Sequence, residues 1–294
     1  MSAGYPTILD QLRRGSPIDI HGVGGGCIAD AAVAGFADGT RVFVKRIAGQ
    51  PGMFVAEATG LRALQEAGAI RVPRVLAVSE EALVLELIEA ASPKRDFFVD
   101  FGRRFAGLHR QRGKACGFPG DNFIGSTPQP NRPLDGPWEH AAADDGSGWP
   151  GFFLERRLRF QVDLTRQRGR SDLAQLLDRA QLLMEELLGG AIEPPVILHG
   201  DLWSGNFIID ERGEACLIDP AVYYGHREAD LAMTRLFGGF DSAFYAAYDE
   251  DLPLAPGHAE RLPIYQLYHV LNHFNLFGGA YYDQGRRILM RYAR

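Results

Sequence analysis

The chain has 294 residues, 46% apolar and 23% charged, with a formal net charge of −6 and three cysteines, which predicts about two globular domains at roughly 150 residues each. The odd, sparse cysteine count excludes a secreted disulfide scaffold and points to a reducing compartment. The absence of basic blocks, of an apolar leader in Met1–Gly15 and of any run of about 18 apolar residues argues against nucleic acid, a signal peptide and a membrane span, so a cytoplasmic protein is expected.

No internal repeat or long low-complexity tract is present. Residues 18–47 read as Gly-punctuated strands: Ile18 to His21, Ala29 to Phe36 and Arg41 to Ile47. Asp38-Gly39 between the last two is a hairpin signal. Met53 to Ala67 reads as a helix stopped by Gly68. Strands at Val75–Val78 and from Ala82 to Ile88 complete a small lobe, 1–87. Helical periodicity dominates the second region, 88–294. Helices are expected at Phe97–Gln111, Leu173–Leu188, Asp230–Phe237, Phe244–Asp249 and Arg261–Phe277. The stretch 113–150, rich in Gly, Pro and Asn, reads as a long structured loop or lid. One short strand pair, within 207–218, interrupts the helices.

That pair, Phe207-Ile-Ile209 and Cys216-Leu-Ile218, flanks the turn Asp210-Glu-Arg-Gly213. Opposing Ile209 to Cys216 sets Asn206 beside Asp219 at the open end. An amide oxygen and a carboxylate suit a hard Mg²⁺ ion that keeps phosphate and water ligands. Just upstream stands His199-Gly-Asp-Leu-Trp-Ser-Gly-Asn206. Asp201 precedes Asn206 by five positions, and Asp219 follows 13 after Asn206. This is the spacing of a kinase catalytic loop, in which the Asp accepts the substrate hydroxyl proton and the Asn holds Mg²⁺.

A phosphotransferase of this kind needs a nucleotide cover from the small lobe. Gly24, Gly25 and Gly26 lie between two strands, where bare backbone N–H groups can approach phosphate oxygens. No Gly-Lys-Ser/Thr follows, so this is not a Walker A loop. Lys45 sits on the third strand, as a kinase phosphate-binding Lys does. Glu57 shares a helix face with Phe54, Leu61 and Leu64, and a carboxylate buried there needs a partner. Lys45 is that partner, or else Glu57 lies at the edge of the face and reaches water. The backbone of Glu86, Leu87 and Ile88 is positioned to hydrogen-bond the adenine edge. Together these features predict an α+β, bilobal protein-kinase-like fold with a small β-rich N-lobe, a larger mainly helical C-lobe, and ATP between them.

Departures from the protein-kinase pattern narrow the acceptor. Gly200 replaces the Arg that often follows the His, and Pro220-Ala221 follows Asp219 in place of Phe-Gly. Only ten residues separate Asp219 from Asp230, too few for a segment that docks a peptide. A small-molecule kinase is therefore expected.

His199-Gly-Asp-Leu-Trp-Ser-Gly-Asn206 resembles the signature of the fructosamine kinase (ketosamine-3-kinase) family. So do Gly24-Gly-Gly-Cys-Ile28, Asn122-Phe-Ile-Gly125 with Pro128-Gln-Pro-Asn131, Asp219-Pro-Ala-Val-Tyr-Tyr-Gly-His-Arg-Glu-Ala-Asp230 and Leu271-Asn-His-Phe-Asn-Leu-Phe-Gly-Gly279. Aminoglycoside and choline kinases, the alternative within the class, share the His-x-Asp and Asn elements but commonly lack Trp at 203 and the 122–131 block. A nucleotide-binding pseudokinase is the alternative of another class, disfavoured by the presence of Lys45, Glu57, Asp201, Asn206 and Asp219.

The resemblance implies ATP-dependent phosphorylation of a ketosamine 3-hydroxyl, on a free small molecule or a glycated protein side chain, with ensuing deglycation. Carried over by position, Asp201 is the base, Asn206 and Asp219 are Mg²⁺ ligands, and Lys45 with Glu57 is the phosphate clamp. Asp230 caps a helix or braces the catalytic loop, with His199 in support. Trp203 stacks on a sugar or fills a core. Of His273 and Asn275, two apart on a C-terminal helix, one at most faces substrate, and His273 is the candidate. Cys27 is a core thiol or a redox-sensitive one. A monomer or weak homodimer is expected.

Overall fold

The computed structural model of the chain describes residues 6–24 and 29–293. The expectations at Gly25, Gly26 and Cys27 lie outside the described residues. In chain order the elements are α1 (Pro6–Leu9), β1 (Asp19–Val23), β2 (Asp30–Gly35), β3 (Arg41–Arg46), α2 (Met53–Ala67), β4 (Val75–Val78), β5 (Ala82–Glu86), α3 (Phe97–Leu108), β6 (Asn122–Ile124), β7 (Thr127–Gln129), α4 (Trp149–Phe152), a π-helical segment (Phe153–Arg159), α5 (Phe160–Gln167), α6 (Asp172–Gly189), β8 (Val196–Leu198), β9 (Phe207–Ile209), β10 (Ala215–Leu217), β11 (Tyr223–Gly225), α7 (Glu228–Leu236), α8 (Ser242–Asp251), α9 (His258–Phe277) and α10 (Tyr281–Tyr292). No described helix is long and apolar enough to cross a membrane.

The chain divides into two units, of which the first is Met1–Phe97 with Asn206–Pro220. Its antiparallel sheet runs β1-β2-β3-β5-β4. Side chains alternate along β3, so Val42 and Val44 enter a core with Ile8, Leu9, Ala34, Phe36, Ala77, Ala82 and Val84, and Lys45 faces the other way. Helix α2 packs on β4 and β5, burying Phe54, Ala58, Leu61 and Leu64. It ends where Gly68 adopts φ +66° and donates its N–H to the Leu64 carbonyl, a conformation that costs a side-chain-bearing residue.

The β9–β10 hairpin belongs to this unit, so the expected boundary at 87/88 is displaced to Phe97 and the expected assignment of 206–220 to the second lobe is corrected. The cause is hydrogen bonding: Leu217 N–H donates to the Arg71 carbonyl at 2.8 Å, and Ala91 N–H to the Ile209 carbonyl at 2.9 Å. The hairpin register also differs by one residue from that expected. Ala215, not Cys216, pairs with Ile209. Asp210 Oδ1 accepts the N–H groups of Arg212 and Glu214, each at 3.0 Å, and Asp210 N–H donates to the Glu214 carbonyl at 2.8 Å, which closes the turn a residue tighter. Asn206 therefore lies opposite Ile218, whose N–H reaches the Asn206 carbonyl at 3.0 Å, one position before Asp219.

The second unit is Phe98–Gly205 with Ala221–Arg294. Its helices gather around α9, which packs against α5, α6, α7 and α10. The expected helices at 97–111, 173–188, 230–237, 244–249 and 261–277 are present with shifted ends. Two helical runs were not expected, 149–167 and α10, so α9 is not the last helix. The single expected strand pair is joined by two more, β6–β7 and β8–β11. The 113–150 stretch is not a lid throughout: β6 and β7 form a hairpin inside it whose Asn122, Thr127 and Gln129 are buried.

Candidate active site

In the first unit three charged groups meet. Lys45 Nζ lies 2.8 Å from Glu57 Oε1 and 2.6 Å from Asp219 Oδ1. Glu57 does not reach water at the edge of its helix face: its side chain is 10% exposed. Burial disfavours the Lys45 ammonium, but the two carboxylates outweigh it and lift its pKa, so the cation is held. Burial lifts Glu57 above the ordinary carboxylate range against the pull of Lys45.

Asp219 has φ +53°, an uncommon backbone for a residue with a Cβ. Its side chain is 48% exposed, so the carboxylate keeps accessible oxygen. Asn206 and Asp219 offer amide and carboxylate oxygens, donors that fit a hard divalent cation. No group of three or more His, Cys, Asp or Glu is placed to hold a metal among the described residues.

Elsewhere in this unit, a Cβ at Gly24 would meet nothing within 4 Å. Strand β5 ends at Glu86, whose N–H already donates to the Arg74 carbonyl at 2.9 Å and whose carboxylate pairs with Arg71 at 2.8 Å. Leu87 and Ile88 follow.

The second unit holds the loop after β8. Asp230 is fully buried and sits in the first turn of α7, whose N-cap residue is Arg227. It is therefore not the cap. Its carboxylate accepts the His199 N–H at 2.7 Å and the Gly200 N–H at 2.8 Å, which braces the loop that carries Asp201. Burial would raise its pKa, but His109, His199 and the Gly200 N–H hold it below the usual range. The Asp201 N–H donates to His199 Nδ1 at 3.3 Å. Gly200 has φ +82°, and a Cβ there would stand 2.0 Å from the Ala221 carbonyl oxygen. This is the physical reason that no Arg follows the His.

Trp203 is 38% exposed and meets Phe237 edge to face, ring centroids 6.2 Å apart, so it is not a core residue. His273 stacks near Phe237, Phe277 and Tyr281. Asn275 points elsewhere, donating to Gln161 Oε1 at 2.8 Å.

Several supporting residues escaped sequence reasoning. His109 on α3 donates through Nε2 to Asp230 at 3.3 Å and accepts the Tyr248 hydroxyl at Nδ1. Asn122 Nδ2 reaches the Val222 carbonyl at 2.8 Å, and Gln129 Nε2 the Ala221 carbonyl at 3.1 Å. Asn131 and Tyr268 extend this buried network: Asn131 donates to Asn122 Oδ1 and the Tyr268 hydroxyl to Gln129 Oε1. The 122–131 block thus holds the backbone just beyond Pro220. Amides in a Pro-rich stretch were the available signal, but their partners lie about 100 residues on, beyond any local pattern. The remaining described cysteines, Cys116 and Cys216, are buried, and burial pushes the Cys216 thiol up to about 12.

A five-stranded sheet with a Lys–Glu pair, followed by a helical unit bearing a braced His-x-Asp loop, defines the class: this is a protein-kinase-like phosphotransferase. The fructosamine kinase family model matches residues 7–294, and the chain belongs to that family. It is 40% identical to "Probable ketoamine kinase slr1563" of Synechocystis sp., over 99% of this chain and 98% of that one. It is 39% identical to the chloroplastic protein-ribulosamine 3-kinase of Oryza sativa subsp. japonica, over 98% of this chain and 82% of that one. A crystal structure of a candidate fructosamine-3-kinase from Thermobifida fusca superposes with a TM-score of 0.84 at 30% identity, covering 99% of each chain.

Proposed function

We propose that this kinase transfers the γ-phosphoryl group of ATP to the 3-hydroxyl of a ketosamine, a fructosamine or ribulosamine. The observation that carries the reading is the braced loop: Asp230 fixes two consecutive amides and so aims Asp201. The relatives named as ketoamine and ribulosamine kinases support the substrate class. As the hydroxyl oxygen bonds to phosphorus, its proton passes to Asp201 and the bond from phosphorus to the β–γ bridging oxygen breaks, releasing ADP. Lys45, held by Glu57, would pair with phosphate oxygens. Gly24 and the two glycines after it would cover them. Leu87 and Ile88, with Glu86, would line the adenine edge through the backbone. Asn206 and Asp219 would hold Mg²⁺. When bound, that ion would offset the charge on the phosphate oxygens.

Trp203 and His273 would bound the sugar, and His199 and Asp230 support the loop. The phosphorylated adduct is unstable and breaks down, so the activity would serve deglycation of free or protein-bound ketosamines. We place it in the cytoplasm, as a monomer or weak homodimer. The test is a screen of ketosamines, aminoglycosides and choline with Mg·ATP, the phosphorylated position read by NMR. Turnover of a ketosamine at its 3-hydroxyl is expected. Turnover of kanamycin or choline alone would overturn the substrate reading and leave the fold untouched.

A further inference from the structure

His269 lies on α9, one helical turn before His273. Its side chain is 4% exposed, and its Nδ1 has no hydrogen-bond partner among the described residues. Buried polar atoms in folded proteins are nearly always paired, and an exception calls for a reason. Nδ1 stands 3.8 Å from Asp201 Oδ1, too far for a hydrogen bond.

The charged groups facing this imidazole are Asp201 from the catalytic loop, Asp230 from α7, Arg157 from the π-helical segment and His273 from α9 itself. Burial lowers the His269 pKa to about 3, so the ring is neutral at physiological pH. A neutral imidazole carries one proton, and Nδ1, which faces a carboxylate oxygen, is the nitrogen where that proton is attracted and a lone pair would be repelled.

Closing the gap needs about 1 Å of carboxylate travel. The backbone at His199 and Gly200 is clamped by Asp230, so the approach is made by side-chain rotation. Catalytic hydrogen bonds are often long in the empty enzyme and tighten in the substrate complex.

We propose that His269 is a positioning residue for the base: in the substrate complex its Nδ1–H donates to Asp201 Oδ1 and leaves Oδ2 to take the proton of the acceptor hydroxyl. The imidazole keeps its own proton throughout. The inference rests on the reading of Asp201 as the base.

The experiment compares His269→Asn and His269→Leu in the full chain. Asn can present an amide N–H where Nδ1 stood; Leu cannot. The readout is the single-turnover rate of phosphoryl transfer to a ketosamine at saturating Mg·ATP, with thermal melting to establish folding. His269→Leu should lose ten- to hundredfold in rate with KM for ATP unchanged, and His269→Asn should stay within about threefold of wild type. The acid limb of the His269→Leu rate profile should move to higher pH, because Asp201 loses a donor that favours its charged form. A merely structural His269 would leave that limb in place. Equal losses in both folded variants, no loss in either, or a loss confined to KM for the ketosamine would overturn the proposal. If His269→Leu fails to fold, the Asn variant decides: a loss beyond tenfold in that folded protein overturns it. Asp201→Asn, measured alongside, separates the two readings. Full activity there removes the base itself; inactivity there with a wild-type-like His269→Leu removes only the role of His269.

Discussion

Asp201 and Lys45, the proposed base and the proposed phosphate-binding cation, are both held in place by buried carboxylates. Asp201 rides on a loop whose two preceding amides are held by one buried carboxylate. Asp201→Asn keeps the size and most hydrogen bonding of the side chain but cannot take a proton. It should lower kcat by roughly 10²–10⁴ with the fold and ATP binding retained; near-normal turnover would remove the mechanism. Lys45 and Glu57 are in contact, so their losses should be non-additive in a double-mutant cycle on kcat/KM. Additivity would show that they do not act as a unit. Trp203 presents an exposed ring two positions from Asp201, the proposed base, and in the proposed function it covers the C–H side of the sugar. Trp203→Ala should lower kcat/KM for a ketosamine more than tenfold, about 1.4 kcal/mol, with ATP affinity little changed. An unaltered kcat/KM would assign the ring to another role.

At the scale of elements, the β6–β7 hairpin explains why a stretch poor in periodicity is nonetheless ordered. Its strands are three residues each, too short to be stable alone. Buried amides tie them to Ala221 and Val222, which follow the segment bearing Asp219. Gln129 makes three buried hydrogen bonds, donating to Ala221 and Asn122 and accepting from Tyr268. Gln129→Leu fills the space but leaves the Tyr268 hydroxyl and the Ala221 carbonyl buried without this partner. It should destabilise the protein by about 1–3 kcal/mol and lower kcat, although residue 129 does not touch the reacting groups in the proposed mechanism. Urea unfolding of the two proteins checks the first expectation, and an unchanged midpoint would refute the bracing role. Asp210 works similarly in the β9–β10 turn, where one carboxylate oxygen accepts two amides and thereby sets the register of the strands that end at Asn206.

Across the whole molecule, buried titratable groups set the pH response of stability. Burial lowers the pKa values of His109, His226 and His269 below the ordinary value. The unfolded chain therefore binds protons that the folded one refuses, and stability falls as pH drops below about 6.5. Asp230, Glu193 and Asp210 are held below the usual carboxylate range by charged and N–H partners that outweigh burial. Their contribution is complete above about pH 4 and is lost as pH falls through the folded-state values. Glu57, raised by burial, opposes this with one group. The urea midpoint should decline from pH 7 to 5 and decline further below 4. A flat profile between 7 and 5 would mean that the three histidines are not neutral in the folded protein.

The sequence by itself determined the order of the five strands and of α2 in the small unit, Lys45 as a candidate partner for Glu57, and the family. These follow from local rules: strand alternation, a helical face with one carboxylate on it, glycine at a helix end, and the five-residue spacing from Asp201 to Asn206. Tertiary structure decided the rest. The hairpin register turned on which amides Asp210 captures, and its membership of the first unit on bonds to Arg71 and Ala91. Asp230 became a brace because folding carries it to amides some 30 residues earlier. Gly200 is explained only by a carbonyl 21 positions away, and the unpaired nitrogen of His269 only by a carboxylate from a different element. Hydrogen bonding and burial act over distances that the chain's own periodicity does not encode.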